Sequence, residues 1–246
     1  MNIIKFRSKG KGDVMERNYL KFLVSELIFV KEDTIINLIP KTYERYNEIF
    51  GELENYVDTL NLNIRKLRRN IKLLDKLSPV DAKNKAQEEF AKEFKELELE
   101  DKKNFTREDE IIITDEKRKE IEDIFREVIF YYSPAFYDFP VEEFDRAEEL
   151  FKNCDKEGLL KFLNRERPRE LRISSEKLQF MRDDLEIEIS MMFDRFPLNQ
   201  LDMLDDKEAI DFNLTRLKNV YEEYQEIYGG LGEELNIKIA EKYSTP

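Results

Sequence analysis

Apolar positions recur in alternating steps of four and three residues along one segment of the chain, 42–76. The resulting seam runs from Tyr46 to Leu74 and comprises Tyr46, Phe50, Leu53, Val57, Leu60, Ile64, Leu67, Ile71 and Leu74. A heptad repeat of this length predicts a long helix. Mostly β-branched a positions with leucine at d favour a parallel two-stranded coiled coil, so self-association is one interpretation. Ile49 and Tyr56 widen the apolar face, which favours an intramolecular bundle instead.

Helical spacing of apolar residues continues on both sides of this segment. The predicted helices cover 13–31, 79–101, 114–132, 140–153, 155–163, 174–195, 206–228 and 233–243. Pro40 is predicted to end the connector that follows the first helix, and Gly229-Gly230 to end the last long one. Ser78-Pro79 is typical of a helix start, with serine as the N-cap and proline at the first helical position.

These elements predict an all-α protein. The expected organisation is a basic flexible arm at 1–12, a coiled-coil-like helical hairpin or bundle at 13–101, and a C-terminal helical domain at 107–246. The polar stretch between 101 and 107 marks the predicted boundary.

Composition narrows the possible chemistry of the 246-residue chain. It contains no histidine, one cysteine and seven glycines. Histidine-dependent catalysis, cysteine-cluster metal sites and glycine-rich phosphate loops are therefore excluded, and no cofactor is expected. No apolar run approaches the roughly 20 residues of a membrane span, so a cytoplasmic protein without a membrane partner is expected.

Charge is unevenly distributed around a net value of −13. The first 76 residues are net basic and the remainder is strongly acidic. Nucleic-acid binding is one hypothesis, through an arm and stripe formed by Lys9, Lys11, Arg65, Lys66, Arg68, Arg69 and Lys72. The alternative is a solvated basic face partly neutralised by the acidic helix that follows. The acidic half is also compatible with a mimic of nucleic acid.

Paired carboxylates are the only catalytic constellation that remains. The candidate set for a Mg²⁺-dependent hydrolase is Glu142, Asp145, Glu149, Asp183 and Asp184. Spacings of three or four residues place such carboxylates on one helical face, where they could hold the metal. In a chain with 55 acidic residues such spacings also arise on solvated faces.

An aromatic stretch around Pro134 supplies the remaining candidate surface. Its four predicted partner-binding residues are Tyr131, Tyr132, Phe136 and Tyr137. Tyrosine-rich loops often carry binding energy, although aromatics at such a position can also fill a core. The first functional hypothesis is a non-enzymatic interaction protein, either an adaptor, a regulator or an inhibitor, which binds another protein.

Overall fold

The computed structural model describes residues 11–105 and 114–244, with side chains described for 14–99 and 114–244. Over these residues the protein is all-α, as predicted, with one isolated antiparallel bridge between Tyr137 and Glu170. The α-helices are α1 (Lys11–Asp33), α2 (Ile39–Tyr46), α3 (Glu52–Leu73), α4 (Pro79–Phe105), α5 (Asp115–Tyr132), α6 (Val141–Lys152), α7 (Lys156–Leu163), α8 (Ser175–Phe193), α9 (Leu201–Asp205) and α10 (Lys207–Ser244).

The first helical run continues through Pro40, so the prediction of an end there is wrong. Thr34–Leu38 forms a π-helical segment immediately before α2, and a second one, Asn47–Gly51, precedes α3. The Ile39 N–H bonds to the Thr34 carbonyl five residues back. Proline cannot donate a helical hydrogen bond, and the π-helical turn lies directly before it. The helix therefore changes its hydrogen-bond spacing at this point and continues.

The predicted cap at Ser78 and the predicted helix starts at 114, 155 and 174 agree closely with the structure. The side chains of Ser78, Thr114, Asp155 and Ser174 each accept a hydrogen bond from a backbone N–H three residues on. Each bond satisfies one of the orphan donors of a first helical turn. The local sequence therefore determines where α4, α5, α7 and α8 begin.

The predicted stop at Gly229-Gly230 is also wrong, because α10 runs through both glycines and merges with the predicted short helix at 233–243. None of the described glycines has a positive φ angle. Beyond the glycines, Leu235 and Ile239 pack against a buried cluster on α3 and α4. Tertiary packing thus maintains the helix where glycine alone permits an end.

Contacts divide the described chain into two units, each built from two separate stretches. Unit 1 comprises 11–42 and 114–199, and unit 2 comprises 43–105 and 200–244. This grouping differs from the consecutive division at 13–101 and 107–246, because each unit pairs an early helix with a late one. Most of the predicted arm at 1–12, and the end of the predicted boundary, lie outside the described residues.

In unit 1, α1 and α8 lie side by side and run in the same direction. Leu20 and Leu178 share one buried cluster, and farther along both helices Lys31 Nζ lies 2.6 Å from Glu188 Oε2. Helices α5, α6 and α7 add a second, aromatic cluster that also includes Phe29 of α1. The centre of this core is the stacked pair Phe125–Phe151, with ring centroids 4.2 Å apart.

In unit 2, α3 and α10 form the corresponding parallel pair. The Tyr56 and Tyr221 rings lie 6.2 Å apart, and Lys238 Nζ lies 3.3 Å from Asp75 Oδ1 near the other end. The buried a positions of the seam are Phe50, Val57, Ile64 and Ile71. Helices α10 and α4 both pack on α3, so the chain itself covers part of the seam, and self-association through the seam stays a prediction.

Candidate functional site

The aromatic stretch that was predicted to bind a partner is largely core. Tyr132 is fully buried, and its hydroxyl lies 3.0 Å from the Leu163 carbonyl oxygen and 2.8 Å from that of Arg165. Its ring meets Phe162 edge to face. These contacts fix the position of the loop after α7. Tyr132 therefore stabilises unit 1 and does not present a binding surface.

Phe136 and Tyr137 are buried around a lysine that sequence analysis did not single out. Lys21 Nζ donates to the Tyr137 hydroxyl and to Glu170 Oε1, both at 2.8 Å, and lies 4.4 Å from the Tyr137 ring centroid. A buried ammonium needs such partners to offset its desolvation. Of the four predicted partner-binding residues, Tyr131 alone is partly exposed, and the guanidinium of Arg167 lies 3.7 Å from its ring centroid.

Much of the predicted basic stripe is engaged by α4. Arg65 and Arg69 pair with Glu93 and Glu89, each at 2.6 Å. The Arg69 guanidinium lowers the pKa of the Glu89 carboxyl through its hydrogen bond. This antiparallel pairing is the one the charges of the two helices predict, and it reduces the positive charge available to phosphates.

The remaining residues of the predicted basic stripe have different surroundings. Lys66 Nζ lies 4.6 Å from the Phe94 ring centroid, whereas Arg68 and Lys72 are exposed on α3. Lys11 is the first residue of α1, and Lys9 lies outside the described residues. Within unit 2 the stripe therefore keeps Arg68 and Lys72 exposed on one face of α3, whereas Arg65, Lys66 and Arg69 contact α4.

The predicted carboxylates do not assemble into a metal site. Glu142, Asp145 and Glu149 are exposed on α6, and the Asp183 carboxylate pairs with its neighbour Arg182 on α8, where Asp184 is also exposed. Across 14–99 and 114–244 no group of three or more acidic or cysteine side chains could hold a metal ion. The set therefore lies on solvated faces of two helices.

One carboxyl outside that set is strongly perturbed. Partial burial, together with the nearby charges of Glu32 and Asp145, raises the pKa of Glu148 to about 7, while Lys31 opposes the change. Burial also raises the pKa of Glu32. These raised pKa values depend on the packing of α1 beside α6, which no local sequence pattern predicts. It makes this part of unit 1 sensitive to pH.

Helix α8 of unit 1 carries an exposed apolar strip. Phe180, Ile187 and Met191 are 66%, 58% and 48% exposed. Their spacing of seven and four residues places them on one helical face. Leu178 and Leu185 pack into the core from the opposite face. The outer side of α8 therefore exposes apolar residues, with the exposed Asp184 between Phe180 and Ile187 on the same face.

Helix α1 carries a second strip of the same kind. Met15, Tyr19 and Phe22 follow steps of four and three residues and are at least half exposed, while Leu20 and Val24 face the core. Solvent-exposed apolar residues are common singly, but a periodic strip on each of two paired helices is typical of an interaction surface. The low glycine content and the helical periodicity predicted these helices from the sequence. They did not predict which helical faces stay uncovered.

The comparisons with known proteins leave the function open. No protein-family model, curated protein or solved structure matches the chain. None of the described helices combines the length and the hydropathy needed to cross a membrane.

Proposed function

We propose that this protein is a non-enzymatic adaptor, regulator or inhibitor that binds another protein through the apolar strips of α1 and α8. The observation that carries the proposal is the exposed outer face of α8, where Phe180, Ile187 and Met191 line one side of the helix. Covering such a face removes apolar surface from water, which is the main favourable term in protein association.

The chemistry of the strips suggests a helical partner. The strips present apolar side chains at helical spacing, including Tyr19, Phe22 and Phe180. An amphipathic partner helix with apolar residues at i, i+3 and i+4 would pack against them. Aromatic anchors of this kind often dominate binding energy. The proposed binding site therefore differs from the predicted one. It lies on the outer faces of α1 and α8, and not on the largely buried aromatic stretch of the same unit.

The single cysteine fits a reducing compartment such as the cytoplasm, where we place the protein. The nucleic-acid alternative is weakened because Arg65 and Arg69 already pair with Glu93 and Glu89. The hydrolase alternative has no clustered carboxylates among the described side chains to support it.

The test compares two double variants in affinity purification from the native host, with nuclease treatment. Phe180→Ser with Ile187→Ser removes the centre of the α8 strip. Val141→Ser with Leu160→Ser removes exposed apolar residues of unit 1 that lie on α6 and α7. A specific partner should be retained by the wild type and the control, and lost from the strip variant at unchanged helicity.

Equal retention by both variants would refute the strip as the binding surface. Loss of all retained material after nuclease treatment would instead favour nucleic acid as the partner. Light scattering on the purified protein distinguishes a second copy of the chain from a different partner, because only self-association depends on protein concentration alone.

A further inference from the structure

Carboxylates border the apolar strip of α8, which consists of Phe180, Ile187 and Met191. Glu176 lies four residues before Phe180, and Asp184 lies four residues after Phe180 and three before Ile187. Side chains three or four residues apart are neighbours on a helical surface, so these two carboxylates lie beside the apolar side chains. Both are exposed, as the strip itself is.

The charge of α8 is mainly negative, and part of it is not neutralised within the described chain. The helix carries five acidic and two basic residues. Asp183 pairs with Arg182 at 2.5 Å, and Glu188 pairs with Lys31 at 2.6 Å. Over 14–99 and 114–244, no ion pair or hydrogen bond engages the carboxylates of Glu176 or Asp184.

This combination of apolar and acidic side chains restricts what can cover the strip. Burial of Phe180 and Ile187 requires apolar side chains on the partner. Asp184 lies between them and loses water when they are covered, which costs free energy unless a cation faces it. Lysine and arginine suit this position, because their apolar stems cover the strip while their charged ends reach the carboxylates.

A second copy of this chain does not have that chemistry on α8. A two-fold contact places the same surface on both sides of the interface, so Glu176 and Asp184 would lie opposite the same two carboxylates of the other copy. Like charges that face each other across an interface oppose association. Charge complementarity therefore favours a different, basic partner.

We infer that the partner presents a basic amphipathic helix to α8. Its apolar face covers Phe180, Ile187 and Met191. Lysine or arginine side chains along the edges of that face pair with Glu176 and Asp184. The inference rests on the proposed function and adds the chemistry of the partner to it.

The experiment measures the binding of two synthetic helical peptides to the full chain by fluorescence anisotropy. Both have the length of α8 and leucine at i, i+4, i+7 and i+11, and they differ only in carrying lysine or glutamate beside the leucines. The chain should bind the lysine peptide and reject the glutamate peptide. Affinity should fall steeply towards 1 M salt, where the Debye length is about 3 Å. Phe180→Ser with Ile187→Ser should weaken the lysine peptide by about tenfold, because it removes the apolar contact.

Two further double variants isolate the charges. Glu176→Gln with Asp184→Asn should weaken the lysine peptide about fivefold at low salt and have little effect near 1 M salt. Glu142→Gln with Glu149→Gln is the matched control, since it removes the same charge from exposed positions of α6 and should leave the affinity nearly unchanged. Circular dichroism establishes that the variants are equally helical.

The outcomes separate this inference from the proposed function. The inference is wrong if the lysine peptide binds no better than the glutamate peptide, if the α6 control weakens it as much as the α8 variants, or if Phe180→Ser with Ile187→Ser leaves its affinity unchanged. The proposed function still holds in each case when affinity purification recovers a protein that this strip variant loses. A concentration-dependent dimer that the strip variant abolishes would identify a second copy as the occupant and overturn the inference.

Discussion

Both units pair an early helix with a late one in parallel, yet they cover these pairs very differently. In unit 1, α5 contributes Phe125, Val128, Ile129 and Tyr132, all with no exposed surface. In unit 2, α10 contributes no buried residue at all, and α4 joins α3 partly through exposed ion pairs. The same pairing is therefore combined with a dense aromatic core in unit 1 and, in unit 2, with a core that α3 supplies through Phe50, Ile64 and Ile71 while α10 stays only partly buried.

The difference suggests how stability is distributed. Burial of apolar area supplies most of the free energy of folding, so unit 1 should resist local opening more strongly than unit 2. Unit 2 also has a pocket of about 400 Å³ between α3, α4 and α10, which Asn70 lines, whereas unit 1 exposes apolar residues on the outer faces of α1 and α8. The predictions below test this contrast, beginning with the largest effect.

Core truncation should separate the two units most clearly. Phe125→Ala removes a fully buried ring that stacks on Phe151, and we expect it to lower the free energy of unfolding by about 3–5 kcal/mol. Leu235→Ala removes a half-buried side chain of α10 and should lower it by about 1–2 kcal/mol. Urea unfolding followed by circular dichroism gives both values.

Hydrogen exchange then assigns each loss to its unit. Amide protons of α5 should exchange more slowly than those of α10 in the wild type, and Phe125→Ala should accelerate exchange in α5 and α6 first. Equal costs for Phe125→Ala and Leu235→Ala, or equal protection of α5 and α10, would contradict the proposed contrast between the cores of the two units.

Replacing glycine with alanine should change the free energy of unfolding in opposite directions in the two units. A Cβ at Gly229, Gly230 or Gly232 of α10 would meet no atom within 4 Å. Alanine at all three should therefore raise the free energy of unfolding by about 1.5–3 kcal/mol, because glycine costs a helix interior roughly 0.5–1 kcal/mol per residue. At Gly158 of α7 a Cβ would lie 2.5 Å from Leu150 Cδ2 and 2.6 Å from Oδ2 of the capping residue Asp155, so Gly158→Ala should displace the cap and destabilise.

Urea unfolding midpoints of the triple variant and of Gly158→Ala check these signs. The triple variant also tests the continuity of α10, since a glycine that ends a helix adopts a left-handed conformation in which alanine is unfavourable. Destabilisation by the three alanines would therefore mean that the chain turns at Gly229-Gly230, as its sequence alone predicts.

Local signals explain which parts of the fold are predictable from sequence. The caps at Ser78 and Thr114 depend on residues three positions apart, and the seam of α3 depends on a seven-residue repeat, so both are visible in the chain. The end of α10 is not, because glycine only permits a stop. A continued heptad at Leu231 and Leu235 is the one signal that indicates the longer helix.

Long-range pairing explains most of what is missed. Whether Tyr132 and Phe136 face solvent depends on Leu163, Lys21 and the loop around Glu170, which are distant in sequence. The pocket that Asn70 lines likewise requires α10 to return to α3. Composition could exclude histidine chemistry, but it could not predict which of many tyrosines and carboxylates would become enclosed.

The smallest predicted effect depends on Glu148, a carboxyl of unit 1 that its packing pushes towards neutrality. The pKa of Glu148 lies near 7 in the folded chain, against an ordinary value of 4.5, because burial and the charges of Glu32 and Asp145 disfavour its ionised form. The folded state therefore holds this proton more tightly than the unfolded state. The associated stability is present below about pH 4.5 and is lost as the pH rises through 7.

Glu148→Gln keeps the shape of the side chain and removes its ionisation, so it should have little effect at pH 5 and raise Tm at pH 8. We expect a rise of about 2–4 °C, which corresponds to about 1 kcal/mol after allowance for the solvent that reaches this half-buried group. Glu149→Gln removes the same charge from an exposed neighbour on α6 and should not reproduce the pH-dependent gain. Thermal unfolding at the two pH values provides the measurement. A gain of the same size at pH 5, or an equal gain from Glu149→Gln, would show that net charge rather than enclosure between α1 and α6 sets the stability of this face of unit 1.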